Sequence, residues 1–149
     1  MTAQGIGNGT RPGAGRRARP VHAGDLRIDA WGATRERCVA EAVRALVDGV
    51  LWVSGHRPLW TASFEVTGSG DDHLVDTTLA RVITALRRHG AVPVTTEVTA
   101  TGDGLRLRCA MVDAAAVRPR GALPKGVTAD SVRCGRNAGT WWCTARIDL

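Results

Sequence analysis

Lysine is nearly missing from this chain: nineteen of its twenty basic residues are arginine, and only Lys125 is not. If any cation served at position 125, such a composition would place arginine there. Lysine is a compact point charge with three rotatable donors and arginine a rigid planar fork, so a site shaped for one rejects the other. Lys125, in the turn-like segment Leu123-Pro124-Lys125-Gly126-Val127-Thr128, is therefore the first candidate for function. Other absences exclude whole classes. No apolar run approaches the roughly 20 residues of a membrane helix, so no membrane partner is expected. Cys38, Cys109, Cys134 and Cys143 form no C-x-x-C pair of the kind used by zinc or redox sites. There is no G-x-S-x-G and no G-x-x-x-x-G-K-[ST]. The run Gly5-Ile6-Gly7-Asn8-Gly9 has no strand before it and cannot form a dinucleotide fingerprint. No nucleophile and base pair is visible, and no internal repeat.

The 149 residues suffice for one domain that buries its core without disulfides or metal. Residues 1–20 hold four arginines, five glycines and no acid, with no apolar h-region of a secretory signal. They read as a disordered basic tail ahead of a domain over residues 21–149. Of the formal charge of +6, the tail takes four, leaving +2 on the body, too little to mark a nucleic-acid module by charge alone. Without an export signal the chain is expected in the reducing cytoplasm with its thiols free. Cys134 and Cys143 flank a hairpin turn and could face each other across strands, although a disulfide is not expected.

Leu26, Ile28 and Ala30 alternate with Arg27, Asp29 and Trp31, which predicts a strand with one face inward, ended by Gly32. Thr34 is a helix cap, and Val39, Ala42, Val43, Leu46, Val47 and Val50 make one apolar helical stripe with Glu41 among the charges mostly outside it. Trp60 to Val66 alternates again. Asp71 or Asp72 then caps a second amphipathic helix that stops at Gly90. Strands follow over residues 91–100 and 105–112, and a final hairpin over 127–136 and 140–148. Residues 113–126 read as a long loop, and so long a loop in a compact domain usually has a job. The order β-α-β-α-β-β-β-β predicts an α/β (α+β) two-layer sandwich, with two helices on one face of a largely antiparallel mixed sheet.

His22 and Asp25 offer an imidazole and a carboxylate just ahead of the first predicted strand, a fragment of a metal site. Asp148 lies one residue before the last residue, Leu149, whose own carboxylate would lie close by. Anions that close repel unless a cation sits between them. Calcium and magnesium prefer oxygen ligands, which Asp25, Asp148 and the Leu149 carboxylate, with Asp72 and His22 as further candidates, would supply. His56, His73 and His89 share no spacing and read as surface or capping residues. Trp31, Trp52, Trp60, Trp141 and Trp142 could stack bases, or serve as core or partner-facing anchors.

Taken together, the opening residues 22–32, the helix over 35–47, the Lys-x-Val-Thr segment at 125–128 and the ending Ala145-Arg146-Ile147-Asp148-Leu149 resemble the archease family in order, separation and position. The similarity covers residues 21–149 and implies an archease-like fold. It also implies a protein cofactor, not an enzyme, that activates an RtcB-type RNA ligase by promoting GTP-dependent guanylylation and repeated turnover in tRNA splicing or RNA repair. The family's required aspartate, lysine and C-terminal aspartate, near a divalent metal, fall on Asp25, Lys125 and Asp148. GTP and RNA would be met through the ligase, with direct nucleic-acid binding weak or confined to the tail. Ala129-Asp130 departs from the Tyr-His that family members commonly carry after the threonine. Two rivals are a stand-alone metal-dependent phosphoester enzyme and an RNA-binding or chaperone-like module.

Overall fold

The computed structural model describes residues 13–22 and 24–149. Its strands are β1 (Gly15–His22), β2 (Asp25–Gly32), β3 (Leu51–Trp52), β4 (Trp60–Thr67), β5 (Ala91–Ala100), β6 (Gly104–Asp113), β7 (Arg118–Pro119), β8 (Gly126–Val127), β9 (Arg133–Asn137) and β10 (Thr140–Asp148). Helices α1 (Arg35–Val50) and α2 (Asp71–His89) interrupt the series early, and a short 3-10 turn covers Ala114–Ala116. The α+β class and the two helices stand as expected, and every pairing among the described residues is antiparallel. The strands do not form one sheet. A five-stranded sheet runs β1-β2-β10-β8 with β9 also on β10, a three-stranded sheet runs β4-β6-β5, and β3 pairs with β7.

Alternation sets the large sheet. Leu26, Ile28 and Ala30 of β2 and Cys143, Ala145 and Ile147 of β10 are buried on one face, while Arg27, Asp29, Thr144 and Arg146 stay partly exposed on the other. Helix α1 packs against β2 of this sheet and β5 of the smaller one. It is consequently buried on more than one side, with Cys38, Val39, Ala40, Glu41, Ala42 and Val43 buried in succession. A single stripe with Glu41 outside is thus corrected: the Glu41 carboxylate lies inside and is paired to Arg16 at 3.0 Å.

That pairing also corrects the boundary of the tail. Residues 15–20, expected to be disordered, lie in β1, which pairs with β2 from Gly15↔Trp31 to His22↔Asp25. Arg16 faces α1 and bonds Glu41 and Asp48, each at 3.0 Å. Ala18 lies where a Cβ on Gly49 would meet it at 3.0 Å, so that glycine allows the end of α1 to approach the sheet. Residues 1–12 lie outside the described residues.

Thr34 caps α1 as expected, its hydroxyl accepting from the Arg37 amide at 3.1 Å. Neither Asp71 nor Asp72 caps α2; Gly70 holds that position, and both aspartates sit in the first turn, where the helix dipole favours them. Gly90 ends α2 in the left-handed region, φ 59°. Residues 113–126 are more ordered than a loop. They contain the 3-10 turn and β7, and the Arg120 guanidinium lies 3.4 Å from the Trp52 ring centroid.

Candidate functional site

The open end of the large sheet brings together residues from both ends of the chain. Asp25 begins β2 and Asp148 ends β10, and the two are direct cross-strand partners. His22, across the β1–β2 turn, is the partner of Asp25 on its other side. Residues directly opposite in an antiparallel pair project to the same face with Cβ atoms about 4.5–5.5 Å apart. Asp25 and Asp148 therefore project side by side on the face away from the helices, while the register of β1 shifts between Pro20 and His22, so alternation does not carry His22 into the same row. The turn at Gly24 takes a left-handed φ of +84°, which glycine adopts without strain. Its carbonyl accepts the Leu149 amide at 2.7 Å, which holds the strand ends in register.

Lys125 reaches the same place through its backbone. Its amide donates to the Asp148 carbonyl at 2.7 Å, β8 continues the pairing with Asp148↔Gly126 and Ile147↔Val127, and the Thr128 amide bonds the Arg146 carbonyl at 2.9 Å. The lysine side chain is exposed. Two supports escaped sequence reasoning. The Thr128 hydroxyl donates to Asp148 Oδ1 at 2.6 Å, fixing that carboxylate, and Arg87 near the end of α2 donates to the Pro124 carbonyl at 3.2 Å, beside the lysine. Thr128 was within the quoted motif but without a role; nothing local marks Arg87, which lies 37 positions away.

Asp72 is not in this group. Its Oδ1 accepts the Cys134 amide at 2.7 Å, and Cys134 pairs with Cys143, five residues from Asp148 on β10. At about 3.4 Å per residue that is roughly 17 Å along the strand. Asp72 binds α2 to β9 instead. Cys134 and Cys143 do face each other across strands, but all four cysteines are free thiols. Cys143 Sγ is 3.6 Å from Cys38 Sγ on α1, and burial pushes the Cys134 thiol up to about 12. His73 accepts the Ser69 amide at 3.0 Å and His56 contacts the carbonyls of Val53 and Ala116, the capping roles expected of them.

Among the described residues no group of three or more His, Cys, Asp and Glu side chains is placed to hold a metal ion. The donors at the sheet end still suit a hard cation. Two carboxylates on one face supply oxygens, and magnesium is commonly held by one or two carboxylates while phosphate oxygens and water complete its shell.

The fold has known counterparts. The model of the Archease protein family (MTH1598/TM1083) matches residues 20–149, and the chain belongs to that family. The probable protein archease of Mycobacterium tuberculosis is 31% identical over 141 residues, covering 93% of this chain and 78% of that protein. The solution structure of Methanobacterium thermoautotrophicum protein 1598 superposes with a TM-score of 0.73 at 17% identity, covering 91% of this chain and 99% of that one. The crystal structure of an archease, possible chaperone, from Thermotoga maritima gives 0.60 at 15% identity, over 88% and 96%. At these identities the two structures speak for the fold.

Proposed function

We propose that the protein is a cytoplasmic activator of an RtcB-type RNA ligase in tRNA splicing or RNA repair, itself without turnover. The observation that carries this reading is the pairing of Asp25 with Asp148 beside the backbone-anchored Lys125. Asp25 and Asp148 would hold a divalent cation, calcium or magnesium, with His22 at the edge and the Leu149 end close by. Bound there, the cation would neutralise charge on a nucleotide phosphate. The chain's own residues do the positioning. Thr128 orients Asp148, the Asp148 carbonyl and Arg87 fix the backbone around Lys125, and the exposed ammonium meets the partner's triphosphate as a point charge. Ala129 and Asp130 occupy the exposed turn after Thr128, Asp130 at a left-handed φ of 59°, so the departure from Tyr-His changes the rim and leaves the carboxylate row intact.

The test is multiple-turnover joining by an RtcB-type ligase at saturating GTP. Lys125→Arg is expected to abolish activation and Lys125→Ala to do no worse, with unchanged melting curves. Loss of one charge-assisted contact costs about 1.5–3 kcal/mol, or roughly 10- to 150-fold in rate. Full activity of the arginine variant would sink the role given to Lys125. RNA joining or phosphoester cleavage by the protein alone would favour the stand-alone enzyme.

A further inference from the structure

The face of the large sheet that turns away from the helices carries an arrangement that the ligase-activating reading does not use. Cross-strand register sets Arg19 opposite Arg27, and Arg27 opposite Arg146, so three guanidiniums line up across β1, β2 and β10. The next row holds Arg17, Asp29, Thr144 and Arg133. Five arginines thus share two adjacent rows with one carboxylate. Asp29 is shared between Arg27 at 3.2 Å and Arg17 at 3.9 Å. Like charges directly opposite on a sheet destabilise it.

The protein's other sheet shows that this is not how the chain places arginine by default. There Arg106 sits opposite Glu65, bonded at 2.8 Å, and Arg108 sits opposite Glu97. Acid faces base strand by strand in one sheet, while in the other arginine faces arginine across three strands, with Asp29 in the next row paired to Arg27 and Arg17 and the Asp25–Asp148 row on the far side.

The third row of that face is aromatic. Trp31 and Trp142 are cross-strand partners, and their indole rings lie over Gly15 and Gly135, at 2.5 Å and 2.8 Å from where a Cβ would stand. Trp142 remains 40% exposed. Beside the arginine rows, a cavity of about 350 Å³ is lined by Arg27, Arg146, Thr144, Thr128 and Ser131. Basic rows that follow a backbone, bordered by an exposed aromatic on which a base can stack, make up the general pattern of single-strand binding.

We infer that this face binds single-stranded RNA directly, with phosphates on Arg19, Arg27 and Arg146 and a base on Trp142. A duplex hides the base faces that Trp142 would engage, and an acidic peptide has none. The placement also moves basic residues 17 and 19 out of the tail and onto a built surface. Both precede residue 20, where the family match begins.

Fluorescence anisotropy of the full chain with a labelled single-stranded RNA 16-mer, no ligase present, tests this independently of activation. The logarithm of affinity is expected to fall with the logarithm of salt at a slope of roughly −2 to −3.5, about −0.7 for each of three to five phosphates neutralised. Arg19→Gln combined with Arg146→Gln should weaken binding at least tenfold and flatten the slope by about 1.4. Trp142→Ala should weaken it about fivefold or more at an unchanged slope. Arg19→Gln alone, at an exposed position, keeps the test alive if the double variant melts early. Three results would overturn the inference: unaltered RNA affinity in the arginine variants, binding that disappears on removing residues 1–12 alone, or equal competition by a polyglutamate peptide, which would make an acidic protein the occupant.

Discussion

The two larger sheets are both antiparallel, but their strands come together over different distances along the chain. The three-stranded sheet is assembled from β4, β5 and β6, with α2 between the first two, all within residues 60–113. The five-stranded sheet joins β2 to β10, pairing Asp25 with Asp148 across 123 positions (148 minus 25). Closing a longer loop costs more chain entropy, although the cost grows only logarithmically. The local sheet sets acid opposite base on its surface, while the distant pairing carries more arginine than its one paired carboxylate, Asp29, can match, and the candidate site. Helix α1 is shared between the two sheets as a common wall, packing on β2 of one and β5 of the other.

Removing residues 1–20 attacks the large sheet most severely. It strips most of β1 and leaves Glu41 buried without Arg16. Breaking a buried pair costs about 3–5 kcal/mol, less here because the Arg16 side chain is 29% exposed; with the loss of the β1–β2 ladder added, the melting temperature falls by on the order of 10 °C. A parallel deletion of residues 1–12 separates the strand from what precedes it. If both deletions leave the melting temperature unchanged, β1 contributes nothing and the basic-tail reading returns.

Leu107→Ala tests the other sheet. Leu107 is fully buried in β6, and such truncations cost about 2–5 kcal/mol through lost transfer energy and the cavity left behind. Chemical denaturation should show this loss, while ligase activation per folded molecule remains. Activation that collapses at temperatures where the variant is folded would mean that the smaller sheet also contributes to activation. The smallest effect belongs to Arg106→Ala. Its pair with Glu65 is more than half exposed on both sides, and exposed pairs contribute about 0–1 kcal/mol. A larger loss would show that neutralisation on this sheet matters to the fold.

Sequence reasoning worked wherever the governing pattern was local. The inward alternation of Leu26, Ile28 and Ala30, the Thr34 cap and the Gly90 stop were legible because each depends on neighbours within one strand or turn. Lys125 stood out by composition and Asp25 and Asp148 by their carboxylates, but no period connects residues 25 and 148, and it was the family resemblance that joined the three into one site. The misreadings have physical causes. β1 was hidden because arginine and glycine dominate it, and its inward Arg16 is tolerated only because Glu41 and Asp48 meet it there. Glu41 looked like a surface residue for the same reason in reverse. Asp72 carried the right chemistry but was claimed by the free amide of Cys134.

The pairing of β2 with β10 also has a consequence in time. A chain emerging from the ribosome at ~5–20 residues per second leaves Asp25 waiting roughly 6–25 s for Asp148. During that interval one edge of β2 is covered by β1, through the short hairpin at Gly24, and the other presents unpaired amides and carbonyls. An incomplete chain ending before β10 would carry Asp25 without its cross-strand partner. The pairing of Asp25 with Asp148 therefore forms only once β10 has been made.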